Sequence, residues 1–180
     1  DDGNPLPALC DTAIVYITVN PVNDPPIATY DMDNTTEDAP VTTSVIGNDS
    51  DPNDPLGNID PTSVAITSTP TNGIISVDPV TGDITYTPNP NFTGIDTYIY
   101  QVCDDGNPLP TLCDTAIVYI NIAPTNDAPI ANNDNDNTTE ETPVTTSVIG
   151  NDSDPNDPLG NIDPTSVTIS VQPTGGTVSV

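Results

Sequence analysis

The sequence predicts an all-β chain built from seven-stranded β-sandwich repeats in tandem. Three observations lead there. First, residues 40–64 return without change as residues 143–167, and Asp1-Asp2-Gly3-Asn4-Pro5-Leu6-Pro7 returns as Asp104-Asp105-Gly106-Asn107-Pro108-Leu109-Pro110, both at a shift of 103 residues. A fixed long period marks a tandem array, and about a hundred residues make a whole small domain rather than a solenoid turn. Second, short runs rich in Thr, Val, Ile and Tyr alternate apolar and polar residues, and no stretch has helical periodicity. Third, clusters of Pro, Gly, Asn and Asp separate those runs throughout. Residues 1–21 therefore read as the last strand of a preceding unit, 22–124 as a complete unit, and 125–180 as the first part of the next. These ends cut across the repeat, so the sequence reads as a stretch of a longer repetitive polymer.

Within the complete unit the expected strands are β1 at 27–34, β2 at 41–46, β3 at 62–69, β4 at 73–77, β5 at 83–88, β6 at 95–103 and β7 at 112–123. Thr71-Asn72-Gly73 signals a tight turn into β4, and Val80-Thr81-Gly82-Asp83 turns β4 into β5. The two copies assign faces. Val64 and Ile66 are kept as Val167 and Ile169, while Ala65 and Thr67 change to Thr168 and Ser170. Ile75 and Val77 stay apolar as Val178 and Val180, whereas Ile74 becomes Thr177 and so points outward. Tyr98, Tyr100 and Val102 share one face of β6, as do Ala116, Val118 and Ile120 on β7. Such faces need a second sheet, and seven short strands in this length suggest an immunoglobulin-like sandwich. Tyr98 and Tyr100 read as core, with a tyrosine corner as the other reading.

Composition bounds the chemistry. There is no Lys, Arg or His against 27 Asp and Glu, a net charge of −27. Binding to nucleic acid or to an anionic membrane needs cations the chain lacks. No run reaches transmembrane length and no signal peptide is present. Without His, Lys or Arg there is no conventional base for a nucleophile and no cationic oxyanion clamp, so an enzyme is not expected. Lysine-based isopeptide cross-links are excluded outright. Self-repulsion of this size calls for a compensating cation, and all-oxygen ligands favour Ca²⁺. A solvated acidic surface is the competing reading.

The three cysteines follow the repeat: Cys10 matches Cys113, and Cys103 lies ten residues before Cys113 across an Asp-Gly-Asn-Pro loop. A Cys103–Cys113 disulfide, and with it an extracellular location, is expected; free structural thiols are the alternative.

At this point a resemblance appears. Val45-Ile46-Gly47-Asn48-Asp49-Ser50-Asp51-Pro52, Gly82-Asp83-Ile84-Thr85-Tyr86-Thr87-Pro88 and Phe92-Thr93-Gly94-Ile95-Asp96-Thr97-Tyr98 are similar to the signatures of bacterial cadherin-like and Ig-like tandem repeats. Asn23-Asp24-Pro25-Pro26 and Asn126-Asp127-Ala128-Pro129 resemble the cadherin inter-domain linker. The resemblance implies long extracellular stalks of adhesins and other surface proteins, with calcium at the domain junctions. The departure is in the β2–β3 loop, where Asp51-Pro52-Asn53-Asp54-Pro55-Leu56 replaces an Asp-x-Asp-Gly-Asp pattern.

Loop alternation in a sandwich says which acids meet. The linker and the β2–β3, β4–β5 and β6–β7 loops fall at one end, and the β1–β2 and β5–β6 loops at the other. Asn126, Asp127, Asp152, Asp154 and Asp157 of one unit are therefore expected beside Glu37 and Asp38 of the unit before, and Asn23, Asp24, Asp49, Asp51 and Asp54 are their equivalents one junction earlier. The alternative is that these acids cap turns and face water. A second arrangement places Asp49, Asp51, Asn53 and Asp60 at positions 1, 3, 5 and 12 of an EF-hand-like count, with Asp54 where the turn glycine would be. Asn34, Asn48, Asn91, Asn137 and Asn151 open N-glycosylation sequons, and Thr12 and Thr115 sit in Asp-Thr-Ala acceptor-like triplets.

The expected function is a structural repeat of an extracellular bacterial polymer, a surface filament or adhesin stalk. Its partners would be neighbouring repeats, with surface glycans attached. An adhesive module binding carbohydrate or a protein partner is the other class. Near-identity of the two β2–β3 loops favours the structural reading.

Overall fold

The computed structural model describes residues 2–54, 57–157 and 160–180. Seven strands form: β1 Asp31–Thr36, β2 Val41–Thr43, β3 Ile59–Ser68, β4 Gly73–Val77, β5 Ile84–Pro88, β6 Gly94–Asp104 and β7 Cys113–Ala123. They make two sheets, β1-β7-β6-β3 and β2-β5-β4. This is an immunoglobulin-like β-sandwich. All pairings are antiparallel except β1 with β7, which run parallel with Asp31 opposite Val118.

The alternation read from the sequence is the packing. On β6 the inward residues Tyr98, Tyr100 and Val102 are buried, and on β7 so are Ala116, Val118, Ile120 and Ile122. Ile84, Tyr86 and Val45 meet them from the facing sheet, with Val64 closing the side. Fully burying each large apolar side chain contributes roughly 1.5–3 kcal/mol. Ile74 is exposed while Ile75 and Val77 pack on the core, as the repeat comparison predicts.

Both tyrosines are core, and Tyr100 also ties the sheets together. Its hydroxyl donates to Val45 O at 3.0 Å, across the sandwich from β6. Tyr86 has a similar role at the other end: its hydroxyl donates to Asp96 Oδ2 at 3.1 Å, and the same carboxylate accepts the Asn72 N–H at 2.7 Å. That fixes the turn before β4. Gly73 follows because the Tyr86 ring occupies the space a Cβ would need.

Strand limits differ from the sequence reading mainly at β1, at β2 and at the start of β3, which begins at Ile59 rather than 62. β1 begins at Asp31, because Ile27 makes only an isolated bridge with Ser50. β2 stops at Thr43, after which Val45 drops into the core and Gly47 N–H bonds to Ser44 O in a turn.

The flanking segments carry no ladders. Among the described residues, 2–26 form no strand and bend at 4–7, and the expected strands of 125–180 reduce to one Ile130–Ser153 bridge and a 3₁₀ turn at Pro164–Ser166. The reason is topological. In the complete unit β1 pairs only with β7, and β3 only with β6. Residues 125–180 hold no counterparts of β6 and β7, so their strand-forming runs have nothing to pair with. Local features survive the shift of 103. Thr29 N–H to Asp49 Oδ1 recurs as Asn132 N–H to Asp152 Oδ1, and Thr43 to Asp33 recurs as Thr146 to Asp136.

Candidate functional site

Two acidic clusters sit at the two ends of residues 22–124. The N-terminal cluster is built by three segments. Asp51 lies in the β2–β3 loop; its carboxyl is raised above the usual carboxylate range by burial and then by Asp54, Asp104, Asp105 and Asp24. The linker supplies Asn23 and Asp24, the end of β6 supplies Asp104, and the β6–β7 loop supplies Asp105. Asn23 Nδ2 donates to Asp104 Oδ2 at 2.8 Å and to Pro110 O at 2.7 Å. Asp104 is itself 1% exposed and accepts the N–H groups of Gly106 and Leu112. Both oxygens of Asp51 and Oδ1 of Asn23 are buried without a hydrogen-bond partner.

The C-terminal cluster joins the complete unit to its successor. Glu37, in the β1–β2 loop, is 2% exposed. Its Oε1 accepts the Thr125 N–H at 2.6 Å, while Oε2 is buried with no partner. Asp38 adopts a left-handed backbone, φ 60°, and accepts the Asn91 N–H from the β5–β6 loop. Asp127 carries a raised pKa, from burial first and then from Glu37, Asp38, Asp154 and Asp157. Acids from both sides of the linker are thus close enough to repel one another. Asp127 Oδ2 and Asp154 Oδ1 are also buried without partners. An open depression beside them is lined by Pro124, Thr125, Asn126, Asp157 and Gly160.

Buried carboxylate oxygens without donors, in a set containing only oxygen ligands, fit a hard cation such as Ca²⁺. Among the described residues no three carboxylate or cysteine side chains already stand in metal-holding geometry. The clusters are gatherings of charge, and holding an ion would require the side chains to close on it.

Two expected ligands lie elsewhere. Asp49 turns inward: Oδ1 accepts the Thr29 N–H at 2.7 Å, and the single Tyr100 hydroxyl proton, shared with Val45 O, is within reach of both oxygens at 3.0 and 2.9 Å. Asp152 is held by Asn132 in the same way. These short aspartates fold the start of each unit onto its β2–β3 loop. The EF-hand-like set is dispersed for the same reason, since Asp60 accepts the Thr62 N–H and hydroxyl at the start of β3. Asp49 instead joins Asp31, which is 8% exposed and has its pKa pushed up to about 6 by burial and by Asp49.

The sequence reading missed Asp104 and Asp105. Their signal was present, because Asp-Asp-Gly opens both copies of the β6–β7 loop, which loop alternation had already assigned to this end. The disulfide forms between Cys103 and Cys113, opposite one another in the β6–β7 register, and Cys10 is exposed. All seven candidate glycan acceptors are exposed. The side-chain nitrogens of Asn48 and Asn151 are engaged by the carbonyls of Tyr30 and Asn133. Among the described residues no helix is long and apolar enough to cross a membrane.

No curated protein sequence matches the chain. Solved structures that resemble it include the human desmocollin-1 ectodomain, at 22% identity over 62% of this chain and 23% of that one, TM-score 0.43. A nucleoside hydrolase-related protein of Saccharophagus degradans is 18% identical over 56% of this chain and 26% of its own, TM-score 0.38. An endo-fucoidan hydrolase of glycoside hydrolase family 107 is 20% identical over 56% of this chain and 14% of its own, TM-score 0.35. The chain spans about a quarter or less of each of these proteins. Residues 23–121 match the family model described as bacterial Ig domain, and the chain belongs to that family.

Proposed function

We propose that this chain is a run of structural units of an extracellular bacterial polymer, a surface filament or adhesin stalk, stiffened by Ca²⁺ at each junction between units. The units are 22–124, the end of one before it in 1–21, and the start of the next in 125–180. The observation that carries the reading is the meeting of Glu37 and Asp38 with Asp127, Asp154 and Asp157 across the Pro124–Asn126 linker. Glu37 belongs to one unit and Asp154 to the next, so an ion held by both would restrain the hinge between them. Binding would also add to stability by mass action.

In this reading Glu37, Asp38, Asn126, Asp127, Asp154 and Asp157 hold the ion at one junction. Asn23, Asp24, Asp51 and Asp54, with Asp104 and Asp105, supply the second unit's share one junction earlier. The cation offsets a charge that no basic side chain can balance. The partners are identical neighbouring units, and the disulfide and exposed glycan acceptors suit a durable extracellular chain.

The test is thermal unfolding of a two-unit chain with and without EDTA, followed by Ca²⁺ titration. A large fall in Tm on chelation, restored by Ca²⁺ and not by matched ionic strength, is expected. No change on chelation would overturn the proposal.

A further inference from the structure

The linker of the complete unit is fastened on both sides of its disulfide. Inside the ring closed by Cys103–Cys113, Asp104 and the Pro110 carbonyl hold the Asn23 amide. Just outside it, Asp114 Oδ2 accepts the Ala28 N–H at 3.1 Å. The same loop reaches the β2–β3 loop, where Asp105 N–H donates to Asn58 O at 2.8 Å, and beside it Cys103 N–H on β6 donates to Ser63 Oγ on β3 at 2.8 Å. The ring therefore holds together the three segments that carry the N-terminal acidic cluster.

We propose that the Cys103–Cys113 ring is a redox-sensitive latch that positions the linker, so that reducing it loosens the junction and weakens its hold on a divalent cation. The cation part rests on the function proposed above; the linker part does not. Cys113 is exposed, so a small dithiol can reach it. Dithiothreitol would deliver two electrons and two protons to the two sulfurs, break the S–S bond to give two thiols, and close to its own cyclic disulfide. Loss of the ring frees residues 104–112 and with them the acceptors that orient Asn23; a linker released at Asn23 then holds Ala28 less firmly against Asp114, which makes the Ala28 amide the reporter.

The experiment measures hydrogen exchange at the Ala28 amide in EDTA, in the oxidised chain, after dithiothreitol, and in the C103S/C113S variant. Faster exchange at Ala28 is expected in both treated forms, with the Val102 and Val118 amides still protected. Unchanged exchange at Ala28 would overturn the latch whether or not the chain binds calcium. The dithiothreitol arm on the parent chain keeps the question decidable if the cysteine variant fails to fold. Ca²⁺ titration by calorimetry on a two-unit chain, in which a disulfide ring stands beside a complete junction, is the second arm. Affinity is expected to fall about tenfold on reduction, the scale of losing a supporting outer contact, and C103S/C113S should no longer respond to the dithiol. A linker that loosens with no change in a measurable affinity would overturn the cation part. No calcium binding by the oxidised chain would sink the proposed function and leave the exchange result to decide the latch.

Discussion

Glu37 grips the linker with one carboxylate oxygen and leaves the other buried and unpaired: Oε1 accepts the Thr125 N–H at 2.6 Å, and Oε2 has no partner. A buried charged oxygen without a donor costs free energy, and nearby Asp127 adds repulsion. A fold retains such an atom when something else satisfies it. Replacing Glu37 by Gln keeps an acceptor for Thr125 and removes the charge. The Glu37→Gln chain is expected to bind Ca²⁺ at least about tenfold more weakly, since ligand charge sets affinity at such sites. Its Tm in EDTA should match or exceed the parent. Calorimetric titration paired with thermal melts checks both, and an unaltered affinity would remove Glu37 from the ligand set.

Acid should act in opposite directions on the free and loaded chain. Asp31 has a folded pKa of about 6 against 3.8 for an unperturbed aspartate, and Asp51 and Asp127 are also raised. A raised carboxyl pKa means the folded state binds more protons than the unfolded state between the two values. Stability then increases as pH falls from about 6 towards 4, and the ionised group opposes folding above that window. The EDTA-treated chain is therefore expected to melt higher at pH 5 than at pH 7. With Ca²⁺ present, protons compete for Asp51 and Asp127, so the stabilisation by calcium should shrink over the same interval. Melting curves at both pH values, with and without the ion, test the pair. Parallel pH trends in the two series would contradict it.

Much of this fold could be read from residues alone because the repeat supplies a second copy. The conserved Val64 and Ile66 beside the variable Ala65 and Thr67 mark inner and outer faces without any structure. The meeting of Glu37 with Asp127 followed from loop alternation, which is a topological consequence. What stayed hidden was the direction of individual short side chains. Asp49 and Asp51 are two residues apart in one acidic run, yet Asp49 faces the buried Tyr100 hydroxyl and Asp51 lies among Asp54, Asp104, Asp105 and Asp24. That choice depends on Tyr100, far away in sequence, and on a parallel β1–β7 pairing that no local pattern announces.

Removing the Tyr100 hydroxyl tests the inner role assigned to Asp49. Tyr100→Phe deletes bonds to Val45 O at 3.0 Å and to the Asp49 carboxylate at 2.9 Å, with the ring itself fully buried and kept. Asp49 Oδ1 keeps the Thr29 N–H, but the bonds that the hydroxyl shared between Val45 O and the Asp49 carboxylate are lost, which costs about 1–3 kcal/mol. Urea unfolding should show that loss at an unchanged m-value. Calcium affinity should stay within about twofold, because Asp49 belongs to the interior and the linker clusters keep their geometry. A large fall in affinity would return Asp49 to the ligand set.

The pairing scheme also predicts which fragment folds. Residues 22–124 contain all seven strands, and every ladder closes within them. Residues 125–180 have the sequences of the early strands without β6 and β7, and the apolar Val144, Val148, Ile169 and Val178 are left partly exposed around a groove. Produced alone, 22–124 is expected to melt cooperatively, whereas 125–180 alone should show no cooperative transition. Extending the chain by a further copy of residues 78–123 after Val180 would supply the missing β5, β6 and β7, and should convert the second half into a folded unit with protected amides. Hydrogen exchange on the three chains decides it. A cooperative transition in 125–180 by itself would show that the early strands can close without β6 and β7, and the boundary at 124 would have to be redrawn.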